Sequence, residues 1–283
     1  MTADRDFSRQ SFLGPAAEQL LANVRVAIAG LGGGGSHIAQ QLAHAGVGHF
    51  RLIDPDAMEA SNLNRLVGGT ESDIVAGTKK IDIATRLIRG IRPWAEVLSA
   101  DTTWQESDHL IRDAHVIFGC VDGYQQRDYL ERAARRFAVP LIDIGMDITQ
   151  VADGHFAVAG QMIVSLPGQP CMHCLGFLTP ENLAIEENRY GAAGVNPQVV
   201  WTNGTLASLA VGAFMKMLTP WLPAREPYSW LELDGNQQTV TPSQRPQYMN
   251  IAGVCPHYGG QDALGDPQFD IGKCLRRDGR AAN

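Results

Sequence analysis

Cationic residues, long hydrophobic runs and cysteine are all scarce in this chain of 283 residues. Its 23 lysines and arginines face 30 acidic residues, and the formal charge of -7 disfavours binding to nucleic acid or to anionic membranes. The best candidate for a membrane span, residues 206–215, is too short to cross a bilayer. The N-terminal residues are charged rather than apolar, so we expect no secretory signal and a cytoplasmic protein.

Five cysteines do not indicate a disulfide scaffold in a chain of this size. Cys171 and Cys174 form a C-x-x-C pair, which is the spacing of a metal site. The alternative at this stage is a set of reduced, buried thiols.

The most informative stretch is 24–56, which predicts a strand, a glycine turn, a helix and a second strand. The glycines at 30 and 32–35 leave main-chain N–H groups open to a phosphate, and the helix should run from Ser36 to Gly46. Asp54, 24 residues after Gly30, is placed to bind a ribose. The pattern predicts a βαβ nucleotide site without distinguishing NAD from ATP. A glycine turn that only permits close packing is the alternative.

Strands and helices continue to alternate through helices at 78–87 and 125–137 and strands at 116–121 and 139–146. This predicts an α/β fold with a doubly wound, Rossmann-like sheet, and it brings Asp122 to the same edge as the glycine loop. The C-terminal half should add a mixed or antiparallel extension and a buried helix over 203–218. We divide the chain into an arm and helix (1–22), a nucleotide-binding half (23–160) and a C-terminal half (161–283), all within one continuous domain. In the first of these parts, Leu20 and Leu21 should pack on the sheet.

An ordered series of short elements then resembles one family. The elements are FSRQ, GLGGGGS, LIDPD, SNLNR, AGTKK, CVDG, PCMHC and the helix NGTLASLAVGAFMKML. Together, from about residue 7 to residue 255, they resemble the ThiF/MoeB/HesA family of adenylating enzymes, relatives of ubiquitin-activating enzymes. The resemblance implies an ATP site at the carboxyl ends of the strands and a ubiquitin-like or sulfur-carrier protein, ending in Gly-Gly, as the partner.

The resemblance also implies roles for single residues. Arg65 and Lys79 would contact the triphosphate, and Asp122 would help to bind Mg²⁺. Arg9 would reach into a neighbouring subunit's site, which implies a homodimer. With Asn62 as a hydrogen-bond donor, the implied nucleotide-binding residues are Gly30, Gly32, Gly33, Gly35, Ser36, Asp54, Asp56, Asn62, Arg65, Lys79 and Asp122.

Adenylation needs this set of groups, because a carboxylate attacks the α-phosphate and pyrophosphate leaves, so positioning and charge neutralisation dominate catalysis. An NAD-dependent oxidoreductase would use the same βαβ unit but gives no reason for Arg65, Lys79 and Asp122. A non-catalytic scaffold is a third interpretation, and the retained charged residues argue against it.

The sequence departs from the family in two places. Where many members carry a second C-x-x-C, this chain has Cys255-Pro-His257, so Zn²⁺ would be held by Cys171, Cys174, Cys255 and either His257 or Cys274. No cysteine lies between 175 and 254, where thioester-forming relatives carry one, and Cys120 should be buried in a strand. We therefore expect the reaction to stop at the acyl-adenylate. A conjugation pathway with thioester transfer is the alternative.

Overall fold

One sheet of eight strands organises the computed structural model, which describes residues 8–189, 197–222, 230–245, 255 and 257–258. The strands are β1 (Arg25–Ala29), β2 (His49–Ile53), β3 (Glu96–Ala100), β4 (Val116–Gly119), β5 (Leu141–Ala152), β6 (His155–Ser165), β7 (Trp230–Asp234) and β8 (Thr239–Pro242). Their order in the sheet is β3-β2-β1-β4-β5-β6-β7-β8. The first five in this order are parallel to their neighbours, and β6, β7 and β8 are added in antiparallel fashion.

Helices cover both faces of the sheet. They are α1 (Ala17–Asn23), α2 (Gly33–Ala45), α3 (Glu71–Ala76), α4 (Lys80–Ile91), α5 (Asp108–Arg112), α6 (Tyr124–Arg136), α7 (Pro180–Arg189) and α8 (Val200–Leu218), with 3₁₀ turns at Ser8–Leu13 and Ala60–Asn62. One apolar layer joins α2, α4 and α8 to the sheet, and the other joins α5, α6 and the segment after Cys171. The predicted doubly wound sheet with an antiparallel extension is confirmed.

Several element boundaries differ from those predicted. Helix α2 begins at Gly33 rather than Ser36, because glycine accepts the helical conformation as readily as the turn before it. It ends as predicted, with Gly46 in the left-handed conformation at φ 108°. Helix α4 begins at Lys80 rather than Thr78, and strand β4 ends at Gly119, which leaves Cys120 beyond the strand.

The remaining differences concern apolar faces. Leu21 is buried as predicted, but Leu20 is 40% exposed because it lies on the outer face of α1, so the prediction for Leu20 was wrong. Helix α8 is buried against α2 and the sheet, and it begins at Val200. Helix α7 was not predicted, since its sequence lacks apolar periodicity. Of the helices in the described ranges, none combines the length and apolar character that a bilayer span requires.

Candidate functional site

A cleft of about 750 Å³ opens where β1, β2 and β4 end. Its wall contains the glycine loop, the acidic segment after β2, cations from the segment that follows and the residues directly after β4. The predicted site residues in the wall are Gly30, Gly32, Gly33, Asp54, Asp56, Arg65 and Asp122. Three segments far apart in sequence therefore meet at one edge of the sheet, as expected for parallel strands.

The glycine loop is tight on the protein side and open on the cleft side. Gly30 has φ +90°, and a Cβ there would lie 2.4 Å from the carbonyl oxygen of Cys120. A Cβ on Gly33 would lie 2.4 Å from Nδ2 of Asn203, whereas a Cβ on Gly32 would meet nothing within 4 Å. Since α2 begins at Gly33, the amino end of a 13-residue helix forms part of the wall. Such a helix end is suited to bind an anion.

Asp54 is a buried carboxylate at the base of the cleft, only 4% exposed. Its Oδ2 accepts the N–H of Leu31 at 2.6 Å, and its Oδ1 accepts the N–H of Asp56 at 2.9 Å. Burial raises the pKa of Asp54, and the Lys80 charge and the two N–H groups oppose that rise. The bonds fix the carboxylate against the glycine loop, and each oxygen keeps a lone pair for a ligand hydroxyl.

The two adjacent lysines have different environments. Lys80 is the first residue of α4 and lies in the cleft wall, with Nζ 2.6 Å from Oδ2 of Asp56 and 3.9 Å from Oδ1 of Asp54. Lys79 has extended backbone, and its Nζ pairs with Asp101 at 3.0 Å outside the wall of the cleft. The structure thus favours Lys80 over Lys79 as the lysine that faces a ligand, because the helix starts two residues later than predicted.

Ser36, Gly35 and Asn62 support the cleft from outside its wall. The Oγ of Ser36 accepts the N–H of Val67 at 3.0 Å, which ties the segment carrying Arg65 to α2. The Oδ1 of Asn62 accepts the N–H of Glu59 at 3.1 Å within a capping box. These polar side chains therefore hold backbone segments beside the cleft in position, and their contact with a nucleotide stays a prediction.

Arg65 and Asp122 both reach the cleft, and Arg9 does not. The guanidinium of Arg65 donates to the carbonyl oxygen of Ser61 and to Oδ1 of Asn64. Asp122 is exposed two residues beyond Cys120. Arg9 lies exposed on the 3₁₀ turn Ser8–Leu13, away from the wall of its own subunit's cleft.

Sequence reasoning missed several polar residues of the wall. Asn203, 5% exposed, touches the glycine loop from the first turn of α8, and its Nδ2 donates to the carbonyl oxygen of Val199 at 3.1 Å. Arg127 pairs with the fully buried Asp143 and donates to the carbonyl oxygen of Ile144 at 2.9 Å. Burial raises the pKa of Asp143 to about 6, although the Arg127 charge acts in the opposite direction. The Asn-Gly pair at the head of an apolar helix was the signal available for Asn203.

Cys171, Cys174, Cys255 and His257 form a second cluster. The three Sγ atoms lie 3.4 to 3.6 Å apart, and Nδ1 of His257 lies 3.4 to 4.0 Å from them. Ligands on a tetrahedron about 2.3 Å from a zinc ion are separated by roughly 3.8 Å. The donors and their spacing therefore fit a tetrahedral zinc site. Cys274, the alternative fourth ligand, lies outside the described residues.

Helix α6 braces this cluster. Oδ1 of Asp128 lies 2.8 Å from Nε2 of His173 and accepts the Tyr258 hydroxyl at 2.8 Å. The ring of His173 stacks on that of His257, with centroids 5.0 Å apart. Glu131, fully buried, accepts the N–H of Met172 at 3.0 Å. The cluster is thus attached to the same helix whose first turn lines the cleft.

Comparison with known proteins gives a consistent picture. The ThiF family model matches residues 4–251. The sulfur carrier protein ThiS adenylyltransferase of Escherichia coli is 30% identical over 274 residues, which cover 92% of this chain and 98% of the relative. The SAMP-activating enzyme E1 of Haloferax volcanii is 28% identical over 209 residues, covering 73% and 71%.

Solved structures share the fold. E. coli MccB, crystallised with AMPCPP and MccA, superimposes with a TM-score of 0.70 at 20% sequence identity, covering 90% of this chain and 75% of MccB. The resemblance stated from the sequence is confirmed by the match over most of the chain. This chain belongs to the ThiF family.

Proposed function

We propose that this protein adenylates the C-terminal carboxylate of a small carrier protein, at the expense of ATP. The carrier is of the ubiquitin-like or sulfur-carrier type, with a Gly-Gly end that is slender enough to thread into the cleft. The observation that supports the proposal is the joint presence, in one cleft, of a helix amino end, a buried carboxylate, the cations Arg65 and Lys80, and an exposed acid. Membership of a family whose named relatives are adenylyltransferases supports the same activity.

Different residues of the cleft bind different parts of the nucleotide. The loop at Gly32 and Gly33 takes the phosphates, and Asp54 takes the ribose hydroxyls. Arg65 and Lys80 neutralise the triphosphate. Lys80 takes the role that the sequence predicted for Lys79, because Lys80 is the lysine in the cleft wall. Asp122 is exposed at the rim and is suited to hold Mg²⁺, which supplies charge neutralisation of the phosphate oxygens.

The reaction follows from this placement. A carrier carboxylate oxygen forms a bond to the α-phosphorus, the bond from that phosphorus to the bridging oxygen breaks, and pyrophosphate leaves with the electron pair. Negative charge accumulates on the phosphate oxygens, where fixed cations and the helix amino end stabilise it. The side chains in these roles only bind and position, so no covalent protein intermediate is needed. An NAD-dependent oxidoreductase would leave Arg65 and Lys80 without a role in the wall.

The product leaves as the acyl-adenylate in this proposal. Cys120 is half-buried in the cleft wall, and burial raises the pKa of its thiol, which disfavours the thiolate form. Cys171, Cys174 and Cys255 are engaged in the metal-type cluster. Thioester transfer within a conjugation pathway is the competing proposal. A carrier adduct that dithiothreitol cleaves, and that Cys120→Ala or Cys274→Ala abolishes, would establish it instead.

Two further assignments complete the proposal. A structural Zn²⁺ is held by Cys171, Cys174, Cys255 and His257. This assignment is supported by the tetrahedral spacing of the four side chains and by the contacts through which α6 holds the cluster in place. A homodimer brings Arg9 of one subunit to the cleft of the other, supported by the exposure of Arg9 and its place outside its own cleft.

The experiment that tests the function is isotope exchange between pyrophosphate and ATP. Each candidate carrier is added with Mg²⁺, and exchange should appear only with a carrier that has a free Gly-Gly carboxylate. The matched control is the same carrier without its last glycine. Isotope exchange that proceeds equally without a carrier would contradict the proposal. So would the absence of exchange with every carrier tested, if the protein still binds ATP.

A further inference from the structure

One side of the cleft has no role in the chemistry above. It is built from the loop after β3, the segment after β4 and the first turn of α6, and it contains Trp104, Gln105, Val121 and Gln126. In the sheet, β3 neighbours β2 and β2 neighbours β1. A nucleotide with its phosphates at the β1 loop and its ribose at Asp54 after β2 therefore extends its base toward the loop that follows β3.

The amide of Gln126 is held in one orientation at this place. Its Oε1 accepts the indole N–H of Trp104 at 3.2 Å and Nε2 of Gln105 at 2.7 Å. An indole nitrogen can only donate, so the amide atom that faces Trp104 is the oxygen. Trp104 is itself 4% exposed and thus a fixed anchor. The nitrogen of the Gln126 amide is consequently directed away from both partners.

The amide nitrogen of Gln126, unlike the amide oxygen, is free to bond to a ligand. Among the residues that the structure describes, none accepts a hydrogen bond from Nε2 of Gln126. A half-buried amide in a cleft wall, with its acceptor satisfied twice and its donors facing a ligand space, is suited to read a hydrogen-bond acceptor. Trp104 and Val121 supply apolar surface beside it for a flat ring.

We propose that Gln126 is the base-reading residue of this cleft. Its amide nitrogen donates a hydrogen bond to a ring nitrogen of adenine, while Trp104 and Gln105 fix the polarity of the amide. The inference rests on the proposed use of ATP and adds to it the group that selects the base. A rigid donor recognises an acceptor and penalises a base that lacks one at that position, because a buried polar group is then left unpaired.

The sharpest variant is Gln126→Glu. The carboxylate keeps an oxygen for Trp104 and Gln105, so the loop stays anchored, and it replaces the donor that faces the base with an acceptor. ATP binding, measured by calorimetry with Mg²⁺, should weaken by about tenfold. Gln40→Glu adds the same charge on α2 outside the cleft wall and should leave binding unchanged. A thermal melt of each variant checks the fold.

The second arm uses ATP analogues in which one ring nitrogen is replaced by C–H, at position 1, 3 or 7. One of the three should bind the native protein about tenfold more weakly than ATP, and Gln126→Ala should bind that analogue and ATP equally. The inference is overturned if Gln126→Glu binds ATP as the native protein does, or if the full analogue penalty persists in Gln126→Ala. Failure of the native protein to bind ATP at all would refute the proposed function itself.

Discussion

Replacing each of the two adjacent lysines separately tests the site where structure and sequence disagree. Lys80 is 9% exposed in the cleft wall, and Lys79 has a side chain 39% exposed that pairs with the exposed Asp101. Removing a buried group that stabilises developing charge costs about 2.7 to 4 kcal/mol of transition-state stabilisation, a factor of roughly 10² to 10³ in rate. An exposed pair contributes about 0 to 1 kcal/mol, which is a factor of at most about five.

Lys80→Met should therefore lower kcat/KM for pyrophosphate exchange by roughly 10² to 10³, and Lys79→Met by less than about fivefold. Methionine keeps the unbranched shape and most of the length of the lysine side chain, so the packing at the start of α4 is retained. The loss of the Lys80 charge also removes one of the groups that keep the pKa of Asp54 down. The optimum of Lys80→Met should thus move to higher pH. A larger loss in Lys79→Met than in Lys80→Met would refute the assignment.

Three other predictions concern stability and assembly. Elemental analysis should find about one Zn²⁺ per chain in the native protein and none in Cys174→Ser, and the Tm of the variant should be lower, since metal binding contributes folding free energy. A native protein that contains no zinc, together with a variant of the same Tm, would contradict this. The pKa of Asp73 is held well below its usual range by the Arg86 guanidinium, at 2.8 and 2.9 Å. Because the pKa of Asp73 is depressed in the folded protein, the stability it contributes is present at neutral pH and is lost as the pH falls below about 4. Asp73→Asn should therefore lower the free energy of unfolding by about 1 kcal/mol at pH 7 and by less at pH 3. Urea titrations that show an equal loss at both pH values would argue against this. Mixing Arg9→Ala with Lys80→Met should restore part of the exchange activity if the subunits share sites, and no recovery after confirmed subunit exchange would exclude sharing.

The sequence was sufficient for the parts of the site that depend on backbone. The glycine loop and Asp54 are separated by one helix and one strand, and the strand pattern alone places both at the carboxyl edge of the sheet. The distance from Gly30 to Asp122 in sequence is large, yet the same rule brings them together. Cys171 and Cys174 also converge with Cys255 and His257, one of the two ligand sets that the family resemblance left open.

The sequence was insufficient where one residue of register or a side-chain bond decides the outcome. A helix turns about 100° per residue, so the start of α4 determines which of Lys79 and Lys80 faces the cleft. Ser36 and Asn62 lie outside the cleft wall and accept main-chain N–H groups, a placement that the local sequence does not reveal. Gln126 lies in a polar helical turn with no motif around it, and only its contact with Trp104 distinguishes it. Local patterns carry no information on such long-range pairs.

The most direct test of the central claim is the mass of the carrier after reaction. The protein is incubated with Mg²⁺, ATP and a carrier ending in Gly-Gly, with pyrophosphatase present to draw the reaction forward, and the intact carrier is weighed by mass spectrometry. The account predicts a carrier heavier by one adenylyl group at its C-terminal glycine, dependent on ATP and formed far more slowly with Lys80→Met. A carrier of unchanged mass, despite bound ATP and a folded complex, would contradict it.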